Sequence, residues 1–295
     1  MPHEVPSPST TQTLATLPLL MADGGRKWEG MDMDCLAIIF SKLSLDDLTV
    51  SIPFVCRSWS AAACDPLCWK FLNLRSLNFM PWSSFARRFT DQNSVSRFSF
   101  AGFMKLAVRR SGGVATELQL PELGSMEDLI LASNKCPRLR TLTLPKLTSD
   151  NEAELPNLLS KWENLNHLQF ESKPSNFSHL ASVISHNCKD FKELSIQSSS
   201  IKKEDVSAII KDLPKLRTLD LNRCFLSKEE LLMILEGCRE LKRLNVKDCI
   251  GFEAEDEEVI RKGWRIKDLE LEGSKMVDER GYETDECDDQ YVHVI

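Results

Sequence analysis

The sequence predicts an α/β fold in which short strand–helix units stack along one direction, with a small helical module in front of them. Three observations predict it. A leucine column recurs at a nearly constant interval through the second half of the chain. The stretches between those leucines change from a two-residue to a helical apolar spacing. Ahead of them, residues 28–74 carry an apolar pattern of helical period broken by a proline.

The period comes first. Segments such as PRLRTLTL, ENLNHLQF, KDFKELSI, PKLRTLDL, RELKRLNV and WRIKDLEL each read apolar-x-x-apolar-x-apolar. Their second apolar residues are Leu142, Leu168, Leu194, Leu219, Leu244 and Leu269, at intervals of 26, 26, 25, 25 and 25. A weaker copy, ATELQLPEL, sets Leu118 another 24 residues earlier. Leu216 to Leu226 fits L-x-x-L-x-L-x-x-C-x-L in full, and Cys249 repeats the place of Cys224. That is the pattern of a leucine-rich-repeat solenoid of six or seven units over 112–274. Leu-x-Leu alternation puts those side chains on the core side of a short strand. Helical stripes follow each strand: Leu155, Leu158 and Leu159; Leu180, Val183 and Ile184; Val206, Ile209 and Ile210; Leu231, Ile234 and Leu235. A unit with one apolar side cannot bury it alone, so neighbours stack. Cys136, Trp162, Cys188, Leu213 and Cys238 recur in register and read as interior packing, cysteine acting as a small hydrophobe.

Within the leading module, Leu36, Ile39, Phe40 and Leu43 form one helical stripe. Ser44-x-x-Asp47 is a capping box for a second helix with Leu48 and Ile52. Pro53 ends that helix and can open a third carrying Val55, Trp59 and Ala62. Three short helices in so few residues make a core at the edge of independent stability. The run from Trp28 to Trp69 resembles an F-box, with Leu36-Ala-Ile-Ile-Phe40-Ser-Lys-Leu43, Val55-Cys56-Arg57-Ser58-Trp59 and a closing Trp69. It departs from the family pattern at the opening, where Gly30-Met31 stands in place of Leu-Pro; Met31 is apolar and adaptable enough to fill the same pocket. Trp69-Lys-Phe-Leu-Asn-Leu74 and Arg109-Arg110-Ser111-Gly112-Gly113 are similar to plant F-box/leucine-rich-repeat proteins. The resemblance covers residues 28 to about 274.

It implies an adaptor of a SKP-cullin-F-box ubiquitin ligase. The F-box (27–74) would bind a SKP-family subunit and, through it, a cullin. Met31, Leu36, Leu45, Val55, Cys56 and Trp59 are the candidate contacts. The repeats would hold a protein target on the residues that flank the buried leucines. These are Thr143, His167, Gln169, Glu193, Ser195 and Asp220, followed by Asn222, Arg243, Asn245, Lys247 and Glu270. A merely solvated face would have the same polar composition. The change from basic positions at 243–247 to acidic ones at 268–272 suits a basic partner segment or mutual pairing equally. The alternatives are a repeat scaffold outside any ligase and a ligand sensor. The flanking positions hold no dense Lys/Arg cluster, which argues against tight polyphosphate binding.

Composition narrows the remaining classes. The chain has 295 residues, a net charge of −7 and 42% apolar residues. Its length leaves room for one or two domains. Residues 253–258 contribute −5 and residues 276–295 contribute −6, so the remainder is +4. An acidic total argues against nucleic acid as a partner, and no apolar run is long enough to span a bilayer. Residues 1–26, rich in Pro, Ser and Thr, read as a flexible leader, with Met21 as an alternative start. Residues 75–111 read as a helical linker or an irregular first repeat, and 275–295 as a disordered acidic tail. Ten cysteines without a Cys-x-x-Cys pair, and five histidines at no zinc spacing, point to reduced thiols with no metal and no cofactor. Reduced thiols suit the nucleus or cytoplasm, and the adaptor reading goes with a monomer within its complex. There is no phosphate loop, no Gly-x-Ser-x-Gly and no His-Glu-x-x-His, so no catalytic residue is assigned.

Overall fold

The computed structural model describes residues 28–276. The expected leader and all but the first two residues of the expected tail lie outside the described residues. Helix α1 (Met33–Phe40) starts where the Asp32 carboxylate accepts the Asp34 N–H at 2.9 Å, and it buries Leu36, Ala37 and Phe40. The expected second helix is instead a π-helical turn, Asp47–Ser51, running into a 3-10 turn, Ile52–Phe54. Half of the expected capping box is present: the Asp47 N–H donates to Ser44 Oγ at 3.1 Å, while the Asp47 carboxylate takes the Ser44 hydroxyl, at 2.8 Å, in place of the Ser44 backbone N–H. Pro53 accounts for the altered helix, because it has no N–H for the Thr49 carbonyl and its ring would strike that oxygen. The third helix, α2 (Arg57–Ala62), therefore begins past Pro53 rather than at it. Trp59 packs edge-on against Phe40 and Trp28, at 5.2 and 6.3 Å between centroids. A capped 3-10 turn, Pro66–Trp69, closes the module, and the buried Trp69 indole donates to the Ala63 carbonyl at 2.8 Å.

The sheet begins earlier than the leucine period indicates. Strand β1 (Phe71–Asn73) follows Trp69 directly and pairs with the first repeat strand. Helices α3 (Ser84–Asn93) and α4 (Phe100–Arg110) fill the next interval, each capped by a serine hydroxyl, Ser83 and Ser99. Phe79, Phe85, Phe89, Phe98, Phe100 and Phe103 pack as one aromatic cluster between them. Helix α3 is tied to the π turn by the Arg88–Asp46 ion pair at 2.5 Å and by Asn93 Nδ2 on the Thr49 carbonyl at 3.3 Å. Strand β1 and helix α4 thus make an irregular opening unit, while α3 braces it against the helical module.

Regular units follow: β2 (Glu117–Gln119) and α5 (Met126–Lys135), β3 (Thr141–Leu144) and α6 (Ser149–Leu159), β4 (His167–Phe170) and α7 (Phe177–Asn187). Next come β5 (Glu193–Ile196) and α8 (Lys203–Asp212), β6 (Thr218–Asp220) and α9 (Lys228–Gly237), β7 (Arg243–Asn245) and α10 (Glu257–Gly263), and finally β8 (Asp268–Glu270). All eight strands are parallel and in sequence order. Leu72, Leu118, Leu142, Leu168, Leu194, Leu219, Leu244 and Leu269 stand opposite one another across it. Behind them the recurrent Cys136, Trp162, Cys188, Leu213 and Cys238 are buried; the Trp162 indole donates to the Cys136 carbonyl at 3.0 Å. Gly251 needs its hydrogen side chain, since at φ +121° an added Cβ would lie 2.5 Å from the Leu226 carbonyl oxygen. The acidic run 253–258 enters α10, where Asp256 caps the helix and Glu257 and Glu258 occupy its first turn.

Candidate functional site

Two surfaces face outward with different chemistry. On α1 the core side carries Leu36, Ala37 and Phe40, so helical spacing turns Cys35, Ile38 and Ile39 outward. Ile38 is 59% exposed and Ile39, Met33 and Cys35 are exposed beside it. Phe54 and Val55, at the end of the 3-10 turn, are exposed as well, Val55 at 58%. Trp28 is exposed on the rim, edge-on to Trp59. Of the residues assigned from the sequence, Val55 is fully available, while Met31, Cys56 and Trp59 are half-buried.

Leu36 and Leu45 are corrected: at 0% and 4% exposure they fill the module's own core and cannot touch a partner. An apolar stripe on a lone short helix does not tell which side meets the core. The helix has apolar residues on both sides, and Ile38, Ile39 and Phe54 were missed for that reason. The signal that could have found them is Leu36 to Phe40 being apolar without a break, more than one buried face can use.

On the repeats, strand register builds two rows along the open face of the sheet. Thr141, His167, Glu193, Thr218, Arg243 and Asp268 form one; Thr143, Gln169, Ser195, Asp220, Asn245 and Glu270 form the other. Register extends the rows to Phe71 and Glu117, and to Asn73 and Gln119; sequence reasoning missed Phe71 and Asn73 because β1 precedes the period, and left Glu117 and Gln119 out with the weaker first copy. Thr143 and Ser195 are corrected as contacts: they are 3% and 6% exposed, short side chains roofed by longer neighbours. Gln169 Oε1, for example, lies 3.5 Å from Thr143 Oγ1.

The charges on this face pair with one another. His167 Nδ1 lies 3.6 Å from Glu193, Arg243 Nε 3.9 Å from Asp268, and Lys247 Nζ 2.9 and 3.3 Å from Glu270 and Glu272. Asn245 Nδ2 donates to Asp220 at 3.1 Å, and the Asn222 N–H donates to the same carboxylate oxygen at 3.2 Å. The Glu270 and Glu272 carboxylates hold the Lys247 ammonium above its ordinary pKa, and Lys247 holds Glu270 below its own. A depression of about 330 Å³ opens among His167, Gln169, Glu193, Asp220, Arg243 and Asn245. The basic-to-acidic change along the last two strands is thus an internal pairing. Among the described residues no group of His, Cys, Asp and Glu could hold a metal ion. Burial pushes the Cys188, Cys238 and Cys249 thiols up to about 11 and that of Cys224 up to about 12, the opposite of an activated nucleophile.

Comparison with known proteins bears on both surfaces. Residues 28–71 match the F-box domain. An F-box/LRR-repeat protein of Arabidopsis thaliana is 31% identical over 227 residues, which is 75% of this chain and 72% of that protein. F-box protein FBW2 of the same plant is 25% identical over 231 residues, 76% of this chain and 68% of its own. Putative F-box/LRR-repeat protein 9 of that plant is 24% identical over 248 residues and is covered to 96%. An internalin from Listeria monocytogenes superposes on 58% of this chain and 44% of its own, with a TM-score of 0.38 and 15% identity. That likeness is too loose to bear on fold or function. Identity of 31% over most of both chains does bear on it: this chain belongs to the plant F-box/leucine-rich-repeat family, whose members serve in general as non-catalytic adaptors of SKP-cullin-F-box ubiquitin ligases.

Proposed function

We propose that this chain is the target-recognition subunit of such a ligase, with residues 28–74 docking a SKP-family subunit, a cullin reached through it, and the repeats receiving a protein target. It does so as a monomer within the complex, in the nucleus or cytoplasm. The observation that carries the reading is the apolar outer side of α1 and the neighbouring turn: Ile38, Ile39, Phe54 and Val55 stand in water although each would gain about 1–2 kcal/mol from burial. A patch of that kind marks a protein interface. The chain's role needs no bond chemistry. Holding a target beside a charged conjugating enzyme raises effective concentration and fixes orientation, and those two terms can carry much of a rate enhancement.

Co-purification of the full chain with a SKP-family subunit tests this reading, wild type against Val55→Asp. Val55 is exposed, so the substitution leaves the fold intact and is expected to abolish capture. Absence of capture by well-folded wild type would sink the reading and leave a repeat scaffold outside any ligase.

A further inference from the structure

Each strand is preceded by one residue at the leading edge of the sheet, and in this chain that residue is a cation six times: Lys70, Arg140, Lys192, Arg217, Lys242 and Lys267. The row is held in register by backbone bonds. The Lys192 N–H donates to the Asn166 carbonyl at 2.9 Å, Arg217 to Lys192 at 2.7 Å and Lys242 to Arg217 at 2.8 Å. The last four members sit on adjacent strands, ~4.8 Å apart. Like charges set side by side across strands destabilise a sheet. Some cations elsewhere are paired, among them Lys173 with Asp205, Lys228 with Asp256, Arg243 with Asp268, and Lys262 with Glu236. Among the described residues, none of the six edge cations stands in an ion pair. Two residues ahead of the edge positions stand the carboxylates Asp190 and Glu240 and the cations Arg138, Lys215 and Arg265; Glu117 lines the row's β1–β3 end. At the β1–β3 end the row opens into a depression of about 820 Å³, where Leu67 and Phe71 are 49% and 47% exposed beside Arg138 and Arg140.

We propose that this edge docks an acidic segment of a partner protein, its carboxylates running along the cation row and one apolar side chain seated on Leu67 and Phe71. The proposal rests on the reading of the repeats as the target-binding part, and it names the chemistry of that target. The row spans roughly 34 Å over eight strands, the length of about ten extended residues. Cations spread along an edge suit a run of carboxylates better than one phosphate.

The test is fluorescence anisotropy of the full chain with a labelled Glu/Asp-rich peptide of about twelve residues bearing one terminal leucine, beside a single-stranded oligonucleotide of equal charge. Saturable peptide binding is expected, weakened about tenfold between about 0.05 and about 0.3 M salt. Arg217→Glu/Lys242→Glu is expected to weaken it by at least about tenfold, and Phe71→Ala to weaken the leucine-bearing peptide selectively. Lys203→Glu/Lys211→Glu, exposed on α8, changes charge equally and is expected to leave binding intact. No peptide binding, an equal loss in the α8 variant, or tighter binding of the oligonucleotide would each overturn the proposal. Capture of a SKP-family subunit by the same variants reads the adaptor role separately. Peptide binding without capture keeps the docking edge and removes the ligase, while capture without peptide binding does the reverse.

Discussion

The F-box and the repeats solve the same burial problem in opposite ways. A repeat unit has one apolar side and a neighbour to cover it, so Leu168, Phe170, Leu180 and Ile184 all reach 0% exposure and the open face is left to polar residues. The F-box is built from an eight-residue helix, a six-residue helix and four tight turns. It has no second copy to stack on. Its core closes around Leu36, Phe40, Leu48 and Trp69, and what remains apolar, Ile38, Ile39, Phe54 and Val55, stays in water. The lesson is that stacking supplies a repeat with its partner in the chain, whereas a module this small leaves part of that work to another protein.

The largest effect expected inside this comparison is from Trp162→Ala. It empties a fully buried site between two units and removes the indole bond to Cys136. A loss of about 3–5 kcal/mol in urea unfolding is expected, with the transition broadening as the array splits. Leu36→Ala in the F-box should cost about 2–5 kcal/mol and reduce SKP-family capture only by loosening the module. A cost near zero there would mean that Leu36 is a contact after all.

Smaller again is Ser125→Ala, which removes the reciprocal cap between Ser125 and Asp128 at the start of α5, about 1 kcal/mol. The smallest stability change belongs to Val55→Asp, within about 0.5 kcal/mol, set against complete loss of capture. The buried repeat thiols add a pH signature. Their folded pKa values, about 11 to about 12, lie above the ordinary 9.0, so the protonated form is held by the fold. That contribution is complete below pH 9.0 and is lost as pH rises toward 12. Alkaline unfolding should therefore move to higher pH in Cys224→Ala, and iodoacetamide at neutral pH should label exposed Cys35 and Cys64 before any repeat cysteine.

How much of this was legible in the sequence follows the same division. Period and register are one fact, so Leu142 through Leu269 fixed the strands, their spacing and the side facing the core without any three-dimensional information. Strand β1 escaped because Leu72 precedes Leu118 by 46 residues, an interval filled by α3, α4 and the phenylalanine cluster. In the F-box, pattern gave the helices but not their orientation. Leu36 and Ile38 are equally apolar, and only packing against Trp69 and Leu48 decides which is inside. Thr143 and Ser195 illustrate a finer limit: alternation predicts direction, while the length of neighbouring side chains decides access.

The most direct test of the central claim, that the F-box and not the repeat face is the apolar docking side for the ligase, is hydrogen–deuterium exchange of the full chain with and without a SKP-family subunit. Slowed exchange over α1 and residues 52–56, with the β3–β8 strands unchanged, is the predicted result. Protection confined to the repeat strands, or none anywhere at saturating partner, would contradict it.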